Sequence, residues 1–549
     1  MLAKKATFIV DMRKPNTEKA VCRMLAQALS AYGVRRVVTS PGSRNAPLLM
    51  ALSRCGNLAT IPVIDERSAA FEALGLADIS GEPVAVCCTS GTAMLNYAPA
   101  IAEAYYRNVP LIAVTADRPA AWIDQADSQT IRQPGALSNI VKSQVSVNGD
   151  ECTEEGLWHV NRLLNDVLAS AISGPCGPVH INVHLSAPLT READTDCDEA
   201  LFHKIDLIGK PTVIPVETAR ALASRLVGKR VLIVAGFNQP DARLNRALAD
   251  ISRIEGFTVM DEGLANLKGG RISPASCDIN GTEILITFGG SIVSARLKEA
   301  LRRCDSIIEH WHVGEADHAV DTYRRLTTRI DYPPEGFFPR LSGALGHNLR
   351  IGNLKLKTDE QPERENVNYE WGSQGAVAML LDAVPKDWNL QLGNGMAVRY
   401  AMPAAAGRFH RVSANRGVSG IDGCVSTAVG ASMAYGKPTL LIVGDMSAQY
   451  DIGAFASNQL SPKLKIAILD NGGGEIFRRV ATTRDLPERE PLIAGGVKLP
   501  LEQLASAYGF RYFEASDRNS LARAAKMLAE EKERPALLRI IIDNNLTTP

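Results

Sequence analysis

The sequence predicts an α/β protein built from three doubly wound parallel-sheet domains. At 549 residues the chain is too long for one hydrophobic core. Short runs rich in β-branched residues alternate with helical stretches, and this alternation recurs three times along the chain. A charged, aromatic-free stretch at 356–368 is interpreted as a linker before the third block. We therefore expect domains at 1–195, 200–355 and 370–549.

The first block contains predicted strands at 36–39, 84–88, 111–115 and 179–183. A helix is predicted over 93–106, because the Ser and Thr residues at 89–92 can cap a helix and residues 93–106 are rich in Ala, Leu and Ile. In a doubly wound sheet, ligands bind at the loops that follow the strands. The segments after these strands carry Ser43, Arg44, Arg118 and Gln129.

The second block has predicted strands at 231–235, 257–260, 283–288 and 306–310, and the third block at 390–392, 411–413, 439–443, 465–469 and 536–541. The turn after the first strand of the second block lacks the Gly-x-Gly-x-x-Gly pattern. The central domain is therefore not expected to bind a dinucleotide.

Composition argues against several functional classes. Sixty basic residues balance sixty acidic ones, so no net field favours nucleic acid or an anionic membrane. The chain has no apolar run of about 20 residues and no signal-peptide pattern, so we expect no membrane insertion and a cytoplasmic location. The ten cysteines lack zinc-binding spacing and are interpreted as buried reduced thiols.

Two strand ends in the third block carry oxygen ligands that suit a cation beside a phosphate. Asp445 follows the strand at 439–443, and Asn471 and Gly473 follow the strand at 465–469. These residues can offer a carboxylate, an amide and a backbone carbonyl oxygen, the kind of ligands that Mg²⁺ combines with phosphate and water. Both sequences also occur in ordinary α/β turns, so this alternative stays open. The spacing resembles the diphosphate-binding motif of thiamine diphosphate enzymes.

Glu66, between Asp65 and Arg67, supports the same interpretation. Thiamine diphosphate enzymes need a carboxylate against N1′ of the aminopyrimidine. Such a carboxylate favours the iminopyrimidine tautomer, whose nitrogen removes the proton from C2 of the thiazolium. The alternative is a surface ion pair between Glu66 and Arg67.

Arginines near predicted strand ends indicate a substrate with several carboxylates. Arg44 and Arg118 lie in the first block, and Arg399 and Arg416 lie in the third. Arginine presents a rigid fork of donors that suits carboxylates and stays charged in a closed site. A surface ion pair is the alternative for any single arginine, but the placement of the whole set in ligand loops favours substrate binding.

Several motifs together resemble the family of 2-succinyl-5-enolpyruvyl-6-hydroxy-3-cyclohexene-1-carboxylate synthases, over nearly the whole chain. They lie at 40–44, 65–67, 89–93, 117–119, 131–135, 415–423 and 444–445. The resemblance implies the thiamine diphosphate-enzyme type of fold, with thiamine diphosphate and Mg²⁺ or Mn²⁺ as cofactors. It implies a carboligase, classed as a transferase, of menaquinone biosynthesis. Such an enzyme decarboxylates 2-oxoglutarate and adds the succinyl carbanion to isochorismate in a 1,4-addition.

The resemblance also implies roles for individual residues. Those for catalysis and substrate binding are Glu66, Ser43, Arg44, Arg118, Gln129, Arg399 and Arg416. Those for cofactor binding are Glu66, Ser419, Gly420, Ile421, Gly444, Asp445, Met446, Ser447, Asn471, Gly473, Gly474, Ile476 and Phe477, of which Asp445, Asn471 and Gly473 bind the metal. Ile421 would force the cofactor into its bent form. Ile476 and Phe477 would line the pocket near the thiazolium, with core packing as the alternative.

The chain departs from the family pattern in several places. Met446 replaces a Gly and Asp470 replaces an Asn, and neither change removes a metal ligand. Gly395, Ser128 and Ala295 stand where relatives carry Ser, Asn and Lys, so no role is carried over to these three positions. Arg296, which follows Ala295, is a candidate substrate ligand by position alone.

The resemblance further implies a homodimer or a dimer of dimers, in which Glu66 of one subunit faces Asp445 of another. Two alternatives stay open. One is a different carboligase or 2-oxo-acid decarboxylase of the same superfamily, which would not explain the arginine set. The other is a non-catalytic homologue, which should have lost Glu66 or a metal ligand.

Overall fold

The structure is a computed structural model that describes residues 15–193, 200–269, 272–274, 277–316, 318–357 and 369–542. The chain forms two compact units. Unit 1 comprises Met1–Ile208, Val425–Gly436 and Asp451–Leu460, and unit 2 comprises Gly209–Cys424, Lys437–Tyr450 and Ser461–Pro549. The predicted linker at 356–368 lies mostly outside the described residues, and the predicted domain limits stay predictions.

Seventeen strands and sixteen α-helices occur in the described residues. The strands are β1 Arg36–Thr39, β2 Ala59–Pro62, β3 Val84–Cys88, β4 Leu111–Asp117, β5 Ser143–Asn148, β6 Val179–His184, β7 Val231–Ala235, β8 Phe257–Asp261, β9 Ile284–Phe288, β10 Glu309–Val313, β11 Leu326–Ile330, β12 Asn389–Leu392, β13 Arg411–Ala414, β14 Thr439–Gly444, β15 Leu464–Asp470, β16 Arg511–Ala515 and β17 Ala536–Ile541.

The helices are α1 Ala20–Ala31, α2 Ala46–Ser53, α3 Glu66–Ser80, α4 Ala98–Arg107, α5 Glu154–Ile172, α6 Val216–Arg225, α7 Ala242–Ser252, α8 Ala295–Arg303, α9 Pro334–Arg350, α10 Ser373–Ala383, α11 Met396–Ala405, α12 Cys424–Ala434, α13 Asp445–Tyr450, α14 Glu475–Arg479, α15 Leu501–Ala507 and α16 Arg518–Glu530. Shorter 3-10 helices lie at Gly91–Tyr97, Ala120–Trp122, Ser138–Ile140 and Ile452–Ala456, and a π-helix at Arg489–Ala494. None of the helices in the described ranges has the length and apolarity needed to cross a bilayer.

The strands form three parallel sheets, which confirms the predicted fold class. Unit 1 holds the order β2-β1-β3-β4-β6-β5, and unit 2 holds β11-β10-β9-β7-β8 and β13-β12-β14-β15-β17-β16. In each sheet the chain reverses its direction of travel between two neighbouring strands, at β1/β3, β7/β9 and β12/β14. The loops that follow these strands diverge at the reversal and leave a crevice, the usual ligand position in this kind of sheet.

Every predicted strand is present, although β10 is displaced by three residues from the predicted 306–310. The predicted range includes Ile307 and Ile308, but Ile308 is 59% exposed. The strand in the structure instead includes Trp311, which is completely buried. The single helix predicted over 93–106 is wrong at residues 93–97. There the chain forms a 3-10 helix at Gly91–Tyr97, and α4 begins afresh with Pro99 in its first turn. Proline lacks the N–H that a continuous α-helix would need at that position.

Helices α3 and α12 pack closely within unit 1 through glycines. A Cβ added to Gly75 would lie 2.1 Å from the carbonyl oxygen of Thr427, and one added to Gly430 would lie 1.9 Å from that of Glu72. Glycine therefore allows the two backbones to approach each other, and the approach buries the side chain of Glu72.

Replacing Glu72 by Gln is expected to change how stability depends on pH. Burial raises the pKa of Glu72 from 4.5 to about 8. The Ser457 hydroxyl lowers this pKa, whereas the charges of Asp451 and Asp65 raise it. The folded protein thus keeps a proton that the unfolded chain releases, so the wild type loses stability as pH rises between these two values. Glu72→Gln removes this loss, and it should raise the free energy of unfolding by roughly 4–5 kcal/mol at about pH 9.

Chemical denaturation at about pH 4.5 and about pH 9 measures this effect. The two proteins should differ little at the lower pH, where Glu72 is protonated in the folded state and only about half ionised in the unfolded state. Glu82→Gln, at an exposed position, is the matched control. An equal effect of Glu72→Gln at both pH values would contradict the prediction.

Candidate functional site

The segments that follow β1, β2, β3 and β4 line a pocket in unit 1, at the point where the first sheet reverses direction. Its lining residues are Pro41, Glu66, Thr89, Ser90, Gly91, Thr92, Ala93, Asn96, Gln129, Thr130 and Ile131. The pocket therefore brings Glu66 together with Gln129, two of the predicted site residues that are far apart in sequence.

Glu66 owes its position to the start of α3. Asp65 caps the helix, since its carboxylate accepts hydrogen bonds from the backbone N–H of Arg67 and the hydroxyl of Ser68, both at 3.0 Å. Glu66 is then the first helical residue, and its side chain lines the pocket. Burial raises the pKa of Glu66, and the nearby charge of Asp65 raises it further. A carboxyl with a raised pKa is suited to hold or share a proton with a ring nitrogen.

Gln133 supports the pocket wall, and sequence reasoning missed it. Its side-chain oxygen accepts a 2.8 Å hydrogen bond from the backbone N–H of Gly91, and its amide nitrogen donates to Ala116 O at 3.1 Å and to Asn182 Oδ1 at 2.8 Å. Gly91 has φ +87°, a conformation that favours glycine. Gln133 thus anchors the loop after β3 to the buried sheet. The signal was present, because Gln133 lies in the motif at 131–135, but the motif gave no partner for it.

The other predicted substrate residues of unit 1 lie in neighbouring loops and do not line this pocket. Ser43 and Arg44 precede α2, and Arg118 follows β4. Arg44 donates to the carbonyl oxygen of Leu185 at 2.9 Å. Burial and then the charge of Arg118 lower the pKa of Arg44, so the two guanidinium groups act on each other electrostatically. Gln129 has φ +55° in the loop that also carries Asp127.

A second cavity lies in unit 2, where the third sheet reverses direction between β12 and β14. It is lined by Asn394, Gly395, Met396, Ala397, Ile421, Gly444, Asp445, Met446, Ser447, Leu469, Asn471, Gly473, Gly474, Glu475, Ile476 and Phe477. The three predicted metal ligands therefore lie on the wall of one cavity, together with most of the predicted cofactor contacts.

Asp445 is the central acidic group of this cavity. It is 1% exposed, and its carboxylate accepts hydrogen bonds from the backbone N–H of Met446 at 2.6 Å and of Gly473 at 2.9 Å. Burial raises the pKa of Asp445 to about 6, and the charge of Asp470 contributes in the same direction. The amide nitrogen of Asn471 donates to Glu475 at 2.8 Å, which places the amide oxygen of Asn471 on the opposite side of the group.

The donor set of this cavity fits a hard divalent cation beside a diphosphate. Asp445, Asn471 and Gly473 offer oxygen atoms only, as Mg²⁺ and Mn²⁺ prefer. The backbone forms a tight cradle, since a Cβ on Gly473 would lie 2.1 Å from Gly495 O and one on Gly474 would lie 2.6 Å from the ring of Phe477. Elsewhere in the described ranges, no cluster of three or more His, Cys, Asp or Glu side chains could hold a metal.

The apolar wall of the cavity contains the other predicted contacts. Ile421 lines it, and the Ser447 hydroxyl donates to Ile421 O at 2.5 Å, which ties the Ile421 loop to the start of α13. Ile476 and Phe477, on α14, also line the cavity. Ser419 and Gly420 belong to the loop before Ile421 and do not line the cavity themselves.

Glu475 accepts hydrogen bonds from four side chains around this cavity, and the sequence motifs did not predict this role. One carboxylate oxygen accepts from Asn471 and from the Ser373 hydroxyl at 3.0 Å, and the other accepts from the Tyr400 hydroxyl at 2.5 Å and from Arg479 at 3.0 Å. Glu475 is only 6% exposed. Its four partners come from separate parts of the chain or from its own helix, so only the folded structure reveals its role.

Two predicted arginines contact the rim of the cavity. Arg399 donates to the backbone oxygen of Gly395, and Arg416 donates to the side-chain oxygen of Asn394 at 3.1 Å. Gly395 has φ +85° and ψ −130°, a region that residues with a Cβ rarely adopt.

On α8, the structure makes Lys298 a better candidate for substrate binding than Arg296. Arg296 and Ala295 are exposed, whereas Lys298 is half-buried and donates to the Ser291 hydroxyl at 3.0 Å. Burial and then the charge of Arg416 lower the pKa of Lys298, with a smaller contribution from Arg399. The position of Arg296 therefore gives no structural reason for a role in substrate binding.

The comparisons with known proteins agree with this geometry. Residues 19–136 match the family model of the thiamine pyrophosphate enzyme N-terminal TPP binding domain, and residues 394–540 match that of the C-terminal TPP binding domain. The fold is similar to the crystal structure of benzoylformate decarboxylase from Polynucleobacter necessarius, with a TM-score of 0.73 and 14% identity over 96% of this chain and 99% of that one. The class of protein is thus a thiamine diphosphate-dependent enzyme.

Curated relatives define the family more closely. The 2-succinyl-5-enolpyruvyl-6-hydroxy-3-cyclohexene-1-carboxylate synthase of Porphyromonas gingivalis is 37% identical over 95% of this chain and 94% of its own length. The synthases of Bacteroides thetaiotaomicron and Desulfotalea psychrophila are each 34% identical, over 96% and 94% of this chain and 97% of their own lengths. The chain belongs to the 2-succinyl-5-enolpyruvyl-6-hydroxy-3-cyclohexene-1-carboxylate synthase family, which confirms the resemblance seen in the sequence.

Proposed function

We propose that the chain catalyses the decarboxylation of 2-oxoglutarate and the 1,4-addition of the resulting succinyl unit to isochorismate. The products are 2-succinyl-5-enolpyruvyl-6-hydroxy-3-cyclohexene-1-carboxylate and CO₂, on the route to menaquinone. The single observation that carries this proposal is the 37% identity to a synthase of that name over 95% of the chain. The intact acidic residues Glu66 and Asp445, each in its own pocket, support an active enzyme.

The reaction balances without an added oxidant or reductant. The bond between C1 and C2 of 2-oxoglutarate breaks, and C1 leaves as CO₂. The electron pair left at C2 forms a new carbon–carbon bond to the ring of isochorismate, which takes up a proton. Thiamine diphosphate, when bound, supplies the group that stabilises negative charge at C2.

We assign the residues of the chain as follows. Glu66 holds N1′ of the aminopyrimidine and shares a proton with it. Asp445, Asn471 and Gly473 would hold Mg²⁺ or Mn²⁺, and Ile421 would support the bound cofactor. The substrate carboxylates are bound by the cationic and polar set Ser43, Arg44, Arg118, Gln129, Arg399 and Arg416, whose forked donors suit two substrates that each carry two carboxylates.

We also propose a homodimer or a dimer of dimers in the cytoplasm, with Glu66 of one subunit facing Asp445 of another. Three domains with limits near 195–200 and 355–370 fit the three separate sheets. In such an assembly a monomer is inactive, because each complete site needs two subunits.

Turnover of the purified protein with thiamine diphosphate, Mg²⁺, 2-oxoglutarate and isochorismate tests the proposal. We expect CO₂ release and loss of isochorismate absorbance in a one-to-one ratio. CO₂ release that does not consume isochorismate would instead favour another carboligase or 2-oxo-acid decarboxylase. Cofactor binding without any turnover would favour a non-catalytic homologue.

Replacing Asp127 by Asn is expected to strengthen substrate binding at Arg118. The Asp127 carboxylate pairs with the Arg118 guanidinium at 2.9 Å, so it occupies donors that we assign to a substrate carboxylate. Both side chains are partly exposed, so the pair is weak, and KM for one substrate should fall by roughly threefold. Steady-state kinetics with each substrate varied in turn measures the change.

Asp124→Asn is the control for this prediction, because Asp124 pairs with Arg132 at 2.7 Å in the same loop but at a more exposed position. A rise in KM for Asp127→Asn alone would mean that Asp127 orients Arg118 for the substrate and does not compete with it.

A further inference from the structure

Asn394 makes three side-chain hydrogen bonds at the rim of the unit 2 cavity. Its amide nitrogen donates to the backbone oxygens of Asn415 at 2.6 Å and Gly420 at 2.7 Å, and its amide oxygen accepts from Arg416 at 3.1 Å. Asn394 is 5% exposed, so these bonds are largely shielded from water. Both amide protons and the amide oxygen are thereby used within one loop.

The loop at 415–420 and the residue that follows it carry two elements of the proposed site. Arg416 lies near its beginning, and Ile421 follows its end and lines the cavity. Ser419 within the loop has φ +64°, a conformation that costs energy in a residue with a Cβ. Because Asn394 bonds to backbone oxygens near both ends of the loop, its amide group bridges them and holds the loop in this conformation.

The backbone around Asn394 is shaped for this contact. Gly393 passes so close to β14 that an added Cβ would lie 2.8 Å from a methyl group of Val443 and 3.1 Å from its Cα. Gly395 on the other side has φ +85°. The two glycines let the chain leave β12, turn at the reversal of the sheet and direct Asn394 at the loop.

We propose that Asn394 is a positioning residue that fixes Arg416 and Ile421 relative to each other. This inference rests on the proposed function and deepens it, since it links the arginine assigned to a substrate carboxylate with the apolar support assigned to the cofactor. Loss of the hydrogen bonds of Asn394 is therefore expected to impair the binding of both the substrate and the cofactor.

Asn394→Asp tests the two hydrogen bonds from the amide nitrogen to the loop backbone, because it keeps an acceptor for Arg416 and removes both donors to the backbone. The carboxylate then faces two carbonyl oxygens and repels them. We expect kcat/KM to fall by roughly 30- to 100-fold and the Kd for thiamine diphosphate to rise by roughly tenfold, as the loss of buried hydrogen bonds implies. Calorimetric titration with thiamine diphosphate and Mg²⁺ gives the second value without any turnover.

Asn389→Asp is the matched control, at the first residue of β12, the strand that ends two residues before Asn394. Asn389 is completely buried and donates to the Thr439 hydroxyl at 3.2 Å, but it does not line the cavity. Its replacement should lower the melting temperature while leaving kcat/KM and the cofactor Kd within about threefold of the wild type. Comparison of the two variants therefore separates the general effect of losing a buried amide from the specific effect of losing the hydrogen bonds between Asn394 and the loop.

A double-mutant cycle between Asn394→Asp and Arg416→Ala gives a further readout. If Asn394 acts partly through Arg416, the KM effects of the two changes should be less than additive. The proposal is overturned if Asn394→Asp changes the parameters no more than Asn389→Asp does. If the wild type binds the cofactor but turns over neither substrate, the proposed function fails, and the calorimetric comparison still decides the role of Asn394.

Discussion

The Glu66→Gln enzyme is expected to lose activity by roughly 10²- to 10⁴-fold in kcat, the range that a general acid–base group contributes. Gln fills the same space but cannot share a proton with N1′ in the way that a carboxyl group does. Because burial raises the pKa of Glu66, its carboxyl is better suited to that exchange than an exposed carboxylate is. The affinity for thiamine diphosphate should change by less than about tenfold, since one hydrogen bond is altered and none of the diphosphate contacts is.

Parallel measurement of kcat and of the thiamine diphosphate Kd checks this expectation. Glu82→Gln is the control, because Glu82 is an exposed carboxylate just beyond the other end of α3. A Glu66→Gln enzyme with wild-type kcat would exclude Glu66 as the group at N1′. A large loss of cofactor affinity with kcat preserved at saturation would assign Glu66 a binding role only.

The Asp445→Asn protein is expected to bind thiamine diphosphate at least about 100-fold more weakly in the presence of Mg²⁺, since even partners one step removed from a metal cost 10- to 100-fold. Asp445 is the only carboxylate among the three proposed ligands, and it faces the cavity between the backbone N–H groups of Met446 and Gly473. Asn keeps the size of the side chain and removes the charge that attracts the cation. Calorimetric titration of the cofactor at fixed Mg²⁺ measures the loss.

Asp387→Asn serves as the control for this change, because Asp387 is half-exposed and pairs with Lys437 at 2.5 Å in the same unit. It should leave the cofactor Kd unchanged. An Asp445→Asn protein that binds thiamine diphosphate and Mg²⁺ as tightly as the wild type would contradict the assignment of the metal site.

The fold class could be predicted from the apolar sequences of the strands inside each sheet. The strands that were not predicted lack such sequences. Sequence reasoning found the central strands because they are continuous apolar runs, such as β3 and β4, which are buried along their whole length. The strands it missed are β2, β5, β11 and β16, and each lies at an edge of its sheet. Edge strands are covered on fewer sides, so their sequences alternate or stay polar and resemble loops.

Candidate site residues were predictable where one short segment carries both the chemistry and the turn. Glu66 follows its own helix cap, and Asp445 follows its own strand, so local sequence was sufficient to suggest them. Asn394, Glu475 and Gln133 have roles that depend on partners 17 to 102 residues away or on several loops at once. No local pattern encodes such partners, which is why only the folded chain reveals these supporting residues.

The most direct test of the central claim follows the carbon atoms of 2-oxoglutarate. The wild-type enzyme is supplied with thiamine diphosphate, Mg²⁺, isochorismate and 2-oxoglutarate labelled with ¹³C at C2, and the product is examined by NMR. The account predicts that the label appears in a ketone carbon bonded to the ring derived from isochorismate, with unlabelled CO₂ released in equal amount. A label found only in succinic semialdehyde, with isochorismate recovered intact, would contradict it.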